Sequence, residues 1–239
     1  MQPFRTHARF RSKYWQDVIV ELSGDNDGDR ITVTLPARLR TLSNAVYNGG
    51  FSSAETLVNW KVPITYNASN PQEEIAVQLR QWELAPERSA VLMTAAKLTH
   101  ASIGELANSH FKLICITTSG TRNAARAASD RTVYPAWRAG TINTILLFDG
   151  QMTDSAMVNA LMTAAEAKAA ALQDIGIHDM ENGLIATGTS SDAVILGVCG
   201  SPAYGAVHEY AGTATEVGAA IGRLVYDSVY ESVTTQHED

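Results

Sequence analysis

Cysteine is scarce in this chain. Cys115 and Cys199 are the only two, and neither has a second Cys or a His at metal-ligand spacing. That excludes a disulfide scaffold and a zinc finger or ribbon. Each sits in an apolar run and reads as a reduced core residue. No stretch of about 18 apolar residues occurs, so no membrane span is expected. The start has no apolar signal segment, because Tyr14-Trp15-Gln16-Asp17 interrupts it. Positive charge is also in short supply: 18 Lys and Arg stand against 25 Asp and Glu, a net −7. Such a surface repels phosphate backbones, so nucleic acid is not an expected partner. Arg5, Arg9, Arg11 and Lys13 are a local exception and read as a solvated N-terminal arm, residues 1–16. There is no G-x-S-x-G elbow, no H-E-x-x-H and no Walker loop. The six histidines are scattered. Together these absences point to the cytoplasm, to no cofactor and to no metal. They are compatible with a homo-oligomer.

What is present fits one domain of 239 residues, 45% of them apolar. The domain is expected over 17–233, followed by a frayed polar tail, 234–239. Early residues read as β: Val18 to Leu22, then the turn Asp25-Asn26-Asp27-Gly28-Asp29, then Ile31 to Leu35 as the returning strand. Asn48-Gly49-Gly50 is a second break, and Val62 to Tyr66 reads as a further strand. Pro71 suits a first helical turn, so Gln72 to Trp82 reads as a helix. Ala90 to Met93, Phe111 to Thr118, Ile142 to Phe148 and Ala193 to Val198 read as strands. Asp154 to Gln173 is the clearest helix, with Met157, Val158, Leu161, Met162, Ala165, Ala169 and Leu172 as its apolar stripe. A last helix is expected from about Thr213 to Val233. The expected fold class is α+β: mixed β-sheet layers with three to four helices. The alternative is a three-layer α/β fold.

Four Gly-Thr pairs punctuate the second half, each near a strand end or a helix start. Gly120-Thr121-Arg122-Asn123 and Gly140-Thr141-Ile142-Asn143 share one spacing. Gly188-Thr189-Ser190-Ser191-Asp192 and Gly212-Thr213-Ala214-Thr215-Glu216 share another. Glycine lets a backbone approach a ligand closely, while hydroxyls and Asn amides both donate and accept. Converging loops of this kind make a pocket for amides, so all four are expected at one site. Each also has a local reading. Thr213 and Glu216 have capping-box spacing, Thr189 and Asp192 could bond within their loop, and Asn143 could satisfy backbone groups. Glu166 borders the apolar stripe and reads either as a salt-bridge partner or as a general acid or base.

In order, Thr118-Ser119-Gly120-Thr121-Arg122-Asn123-Ala124, Gly140-Thr141-Ile142-Asn143-Thr144-Ile145, Ala165-Glu166-Ala167-Lys168-Ala169, Ala186-Thr187-Gly188-Thr189-Ser190-Ser191-Asp192-Ala193 and Tyr210-Ala211-Gly212-Thr213-Ala214-Thr215-Glu216-Val217-Gly218 form a series. The series resembles the adenosylcobinamide amidohydrolase family. Weaker matches extend upstream through Leu42-Ser43-Asn44-Ala45, Gly49-Gly50 and Leu92-Met93-Thr94-Ala95-Ala96. The resemblance covers roughly residues 40 to 232. It implies hydrolysis of the amide between a corrin-ring propionate and aminopropanol, with a corrinoid as the small-molecule partner. No Asp-x-His-x-x-Gly segment, which places a histidine on cobalt in many corrinoid-binding proteins, occurs here. The chain departs from the family pattern at Ala214, where His is frequent, and at Ala165 and Ser191, where Thr is frequent.

Amide hydrolysis needs an activated nucleophile, oxyanion stabilisation and protonation of the leaving amine. The expected catalytic residues are Glu166 or Glu216 as general base, Asn143 and the Gly188–Thr189 loop for the oxyanion, and Asp192 to orient a partner. The nucleophile is water or a threonine hydroxyl. Substrate binding is expected from Asn44, Asn123, Thr141, Thr187, Gly188, Thr213 and Thr215, with Trp137 as one wall. Two other readings are a corrinoid-binding module without chemistry and a threonine-type amidase acting on another amide.

Overall fold

The structure, a computed structural model, describes residues 1–24, 29–132 and 141–238. Its first half is almost all β: β1 (Arg9–Arg11), β2 (Ile19–Ser23), β3 (Arg30–Ser43) and β4 (Gly50–Lys61). Helix α1 (Pro71–Gln81) follows, then β5 (Ser89–Thr94), β6 (Ser102–Ala107), β7 (Lys112–Ser119) and β8 (Ala124–Ala125). The second half alternates: β9 (Ile142–Asp149), β10 (Gln151–Met152), α2 (Asp154–Ile175), β11 (Gly188–Thr189), β12 (Ala193–Val198), β13 (Val207–His208) and α3 (Glu216–Thr235). Nine strands form one mixed sheet in the order β1-β2-β3-β12-β9-β7-β6. β4 pairs with β3, and β5 with β4. The fold is α+β in a single domain.

β3 organises the sheet. Its first half pairs with β2 and its second half with β12, while β4 runs antiparallel beside it, with a register shift between Thr34 and Leu39. Both faces of the middle strands are covered. On β9, Ile142, Leu146 and Phe148 face the core under α2 and α3, and Ile145 and Leu147 face a second core enclosed by β2, β3 and β4. A strand buried on both faces carries a continuous apolar run, as β9 does. α1 buries Ile75 and Leu79 against Val58 of β4 and Val91 of β5. The first sixteen residues lie against the body: β1 pairs with β2, and Phe4, Phe10 and Trp15 are buried. Arg5 and Arg9 are ion-paired with Glu238 and Glu21.

Helix ends follow from local chemistry. Asn70 caps α1, accepting from Glu73 N with Pro71 at the first position. Thr153 caps α2 by accepting from Ala156 N, and Gly176 ends it in the left-handed region. Thr215, not Thr213, caps α3, accepting from Gly218 N at 3.0 Å. The expected capping box is displaced by two residues because Gly218 packs on Gly212. A Cβ on Gly218 would stand 1.9 Å from the Gly212 carbonyl oxygen.

Two readings are corrected and one strand is added. The strand expected at Val62 to Tyr66 lies earlier, over Gly50–Lys61. Its Ser, Thr and Glu disguise it, and Pro63 has no N–H for a ladder beyond it. β6, with Ser102, Gly104 and Glu105, was not legible either. The apolar stripe of α2 is rotated: Ala156, Ala160, Ala164 and Ala171 are buried with Met157 and Leu172, whereas Val158 and Met162 are 47% and 57% exposed. Small side chains let α2 approach the sheet and α3 closely, which outweighs the larger side chains' greater hydrophobicity. The expected turn at Asp25 to Gly28 lies outside the described residues.

Candidate active site

Asp192 ends the loop between β11 and β12, and its carboxylate is a hub. Oδ1 accepts from the Thr189 hydroxyl at 2.5 Å and from Ile142 N at 3.0 Å. Oδ2 accepts from Thr189 N at 2.9 Å and from Lys168 Nζ at 2.5 Å. These four bonds use the carboxylate's acceptor sites. Both charges are largely buried and compensate each other, the condition under which a charge is kept out of water. The glycine at 188 is required here: a Cβ would stand 2.4 Å from Asp192 Oδ2 and 2.9 Å from Lys168 Nζ.

Beside the pair is a pocket of about 180 Å³ between α2 and the sheet. Asn44, Leu161, Ala164, Lys168, Asp192 and Val194 are among its walls. Asn44 is held by its own backbone-like bonds: Nδ2 donates to Asp192 O at 2.8 Å, and Oδ1 accepts from Val194 N at 2.8 Å. It joins the end of β3 to the start of β12 and fixes the pocket's rim.

Three of the four Gly-Thr segments converge on this hub. Thr141 Oγ1 reaches Ser191 O at 2.7 Å, next to the Ile142 N–H already on Asp192. Asn123 Nδ2 donates to Ser190 Oγ, and its Oδ1 is buried without a partner among the described residues. β8 pairs with β11 through Ala125 and Gly188. The Thr187 hydroxyl accepts from Ala127 N at 2.9 Å, which ties the same two loops.

Asn143 is a brace beneath the site. It is 1% exposed and points into the sheet's second core, with Nδ2 donating to Asn59 Oδ1 and Met93 O at 2.8 and 2.9 Å. Its Oδ1 accepts from Thr141 Oγ1, and Asn59 continues the chain to Thr118 Oγ1.

The fourth segment lies elsewhere, so the expected convergence of all four does not occur. Thr213 Oγ1 donates to Glu166 Oε2 at 2.9 Å. Glu166 and Lys168 are two residues apart, so they project about 200° apart around α2. Glu166 is exposed, and a hydroxyl is its hydrogen-bond partner rather than a basic residue. Ala214 is exposed on the same loop. Glu216 stands further off, accepting from Asn108 at 2.9 Å and meeting His110 Nδ1 at 2.8 Å in the turn between β6 and β7. Thr215 is spent as the cap of α3. Trp137 and Gly140 lie outside the described residues.

The spacing of Lys168 in the sequence already marks it as a residue of the pocket side. It stands four residues after Ala164 and seven after Leu161, on the pocket flank of α2. Neither thiol takes part. Burial pushes Cys115 up to about 11. Burial, then its bond to Asp149, pushes Cys199 up to about 11. His208 packs edge-on against the stacked pair Phe111 and Phe148. Among the described residues no three His, Cys, Asp or Glu side chains cluster as a metal site, and no helix is long and apolar enough to cross a membrane.

Comparison with known proteins places this chain among amide-hydrolysing enzymes. The chain belongs to the adenosylcobinamide amidohydrolase family, which it matches over residues 17–239. It is 30% identical to the adenosylcobinamide amidohydrolase of Methanosarcina mazei over 188 residues, 76% of this chain and 84% of that one. It is 31% identical to that of Halobacterium salinarum over 200 residues, 80% of this chain and 78% of the other. An uncharacterised protein of Methanocaldococcus jannaschii is 26% identical over 207 residues, 78% of this chain and 80% of that one. A crystal structure of a Pyrococcus horikoshii protein aligns over 92% of this chain and 82% of its own, with 8% identity and a TM-score of 0.42.

Proposed function

We propose that this enzyme hydrolyses the amide between the corrin-ring propionate and aminopropanol in adenosylcobinamide. The products are adenosylcobyric acid and 1-amino-2-propanol, and the acid returns to cobamide assembly. The family match and the two named relatives support the reaction. The Lys168–Asp192 pair at the foot of a small pocket is the observation that carries its location.

The chemistry follows from what each group has left to give. Water adds its oxygen to the carbonyl carbon, the C–N bond breaks, and the water's proton ends on the departing amine. Lys168 has three N–H donors, and Asp192 holds one, so one of the others meets the developing oxyanion and one passes its proton to the departing amine, and the attacking water's proton then restores the ammonium. Asp192, with its acceptor sites filled, orients Lys168 and Thr189 rather than taking a proton. The Thr189 hydroxyl, already donating to Asp192, offers its lone pairs to the attacking water. In this reading Glu166, Thr213 and Glu216 lie outside the chemistry, and Asn143 supports the loop from below. The reaction belongs in the cytoplasm, where unpaired thiols such as Cys115 and Cys199 stay reduced.

The test is incubation of the purified protein with adenosylcobinamide, with adenosylcobyric acid followed by mass. Formation of the acid supports the reading. An unchanged substrate mass at high enzyme concentration overturns it.

A further inference from the structure

Thr144 of β9 lines the Lys168 pocket, together with Ile142, Val194 and, from α2, Leu161 and Ala164. It stands two residues from Ile142 and two from Leu146, both of which face the core under the helices. Alternate residues of a strand share a face, so Thr144 also points toward α2. The other polar side chains lining the pocket are already engaged or of one kind. The Asp192 carboxylate has its four bonds, and Asn44 Oδ1 accepts from Val194 N. Lys168 brings N–H donors alone. A secondary amide presents an N–H as well as a C=O, so a pocket that takes one needs an acceptor too.

Thr144 is the outer end of a buried string of hydroxyls. Thr117 of β7 is its direct partner across the ladder, with the two Oγ1 atoms 3.3 Å apart. Thr117 Oγ1 is 2.8 Å from Ser228 Oγ of α3, and Ser228 donates to Val225 O at 3.2 Å. Cys115 Sγ lies 3.2 Å from Ser228 Oγ. All four side chains are buried. A hydroxyl has one hydrogen and two lone pairs, so the direction of each bond follows from the inner end. The Ser228 hydrogen is on Val225 O, so Thr117 donates to Ser228. The Thr117 hydrogen is then used, so Thr144 donates to Thr117. The Cys115 thiol, kept protonated by burial, fills the second lone pair of Ser228. Every hydrogen of the string is thus satisfied inside the protein, as buried polar groups require. What remains is lone-pair capacity on Thr144 Oγ1, at the pocket, so the string ends there as an acceptor.

We infer that Thr144 is a substrate-contacting residue whose hydroxyl accepts the N–H of the bound amide, while Lys168 donates to the carbonyl oxygen, and that Thr117 and Ser228 are positioning residues that set this polarity. The inference rests on the proposed reaction, in that a secondary amide is the group the pocket receives. Ser228 acts at a distance: it never meets substrate, and it decides whether Thr144 offers a lone pair or a hydrogen.

The test uses Thr144→Val, which keeps the branched shape and removes the acceptor, Thr144→Ser, which keeps the hydroxyl, and Ser228→Ala, with melting temperatures measured to confirm the fold. The substrate is adenosylcobinamide. KM is read where turnover occurs, and Kd by equilibrium dialysis where it does not. Neither depends on the fraction of protein that is folded, so both separate contact from stability. Thr144→Val should raise KM roughly ten- to a hundredfold, the cost of leaving the amide N–H unpaired. Its kcat should stay within about threefold, as for loss of uniform binding. Thr144→Ser should recover most of the loss. Ser228→Ala lets Thr117 turn its hydrogen toward Thr144 and should raise KM as well. Combined with Thr144→Val it should add less than about twofold, because the string then has no outer end to control. A wild type that turns over, with Thr144→Val keeping its KM or Thr144→Ser as impaired as Thr144→Val, overturns the inference and leaves the reaction standing. Effects of Ser228→Ala and Thr144→Val that simply add overturn the positioning roles. A wild type that binds without hydrolysis, with binding lost in Thr144→Val and kept in Thr144→Ser, supports the contact and overturns the reaction. A wild type that neither binds nor hydrolyses overturns both.

Discussion

Glu166 and Lys168, two residues apart on one helix, serve different neighbours. Glu166 accepts from Thr213 at 2.9 Å, and Lys168 bonds Asp192 at 2.5 Å beside the pocket. The Glu-Ala-Lys segment thus places its base-like and acid-like members on opposite flanks, and the Lys168 flank carries the proposed site.

Lys168→Met should therefore remove the ammonium while keeping much of the stem's packing. Hydrolysis is expected to fall by about two to four orders of magnitude. Glu166→Gln, which keeps a partner for Thr213, is expected to retain turnover within about threefold. Steady-state kinetics on both variants decides the matter, and the reverse pattern returns the role to Glu166.

Asp192→Asn leaves Lys168 charged without its counter-ion and gives the Thr189 N–H and the ammonium a competing donor. Stability is expected to fall by about 1–3 kcal/mol, or roughly 2–10 °C in Tm for a chain of this size. Turnover of the folded fraction should fall as well. A melting scan and an activity assay on one preparation separate the two effects. Wild-type activity in this variant would remove Asp192 from the site.

Gly188→Ala tests the geometry without changing a charge. Its methyl would meet Asp192 Oδ2 at 2.4 Å, so the carboxylate or the loop has to move. Activity should drop by at least about tenfold, because small misplacements at a reacting centre are costly. Far-ultraviolet circular dichroism should stay that of the wild type.

Asn143→Ala should act on stability. It removes a buried side chain that bonds Asn59, Met93 O and Thr141 together, leaving those groups unpaired at a cost of roughly 2–4 kcal/mol. Chemical denaturation should show the loss, with kcat of the folded protein changed by less than about threefold. A stable variant with a large loss in kcat would restore the oxyanion role to Asn143.

Asp179 gives a pH test. Its burial alone would raise its pKa. N–H bonds from Arg126 and Glu181, the charge of Arg131 and a bond from Asn182 outweigh that and hold the carboxyl below the usual carboxylate range. A depressed folded pKa means that its stabilisation is full above the unfolded value, about 3.9, and is lost as pH falls through the folded value. Wild-type Tm should drop on acidification below that range. Asp179→Asn should be less stable at neutral pH and should lose part of the acid dependence.

The sequence by itself determined the elements whose signal is local. β9 and β12 are runs of apolar residues, α1 has Asn70 and Pro71 at its start, and the Gly-Thr loops announce themselves by composition. The family pattern in 118–218 was legible for the same reason: its residues are contiguous in short segments. What tertiary structure decided was partnership. From sequence Asn143 reads equally as an oxyanion amide or as a partner of backbone groups, and only the fold brings Asn59 and Met93, 84 and 50 residues away, onto its side chain. Lys168 has no partner within its own segment, and β12 brings Asp192 against it. Glu216 went to His110, and the alanine face of α2 turned inward because close helix approach favours small side chains over large ones. β4 and β6 were hidden because their polar residues are accommodated by neighbouring strands rather than by their own pattern. A side chain's type states which bonds it can make, and only the packed chain supplies the atoms that make them.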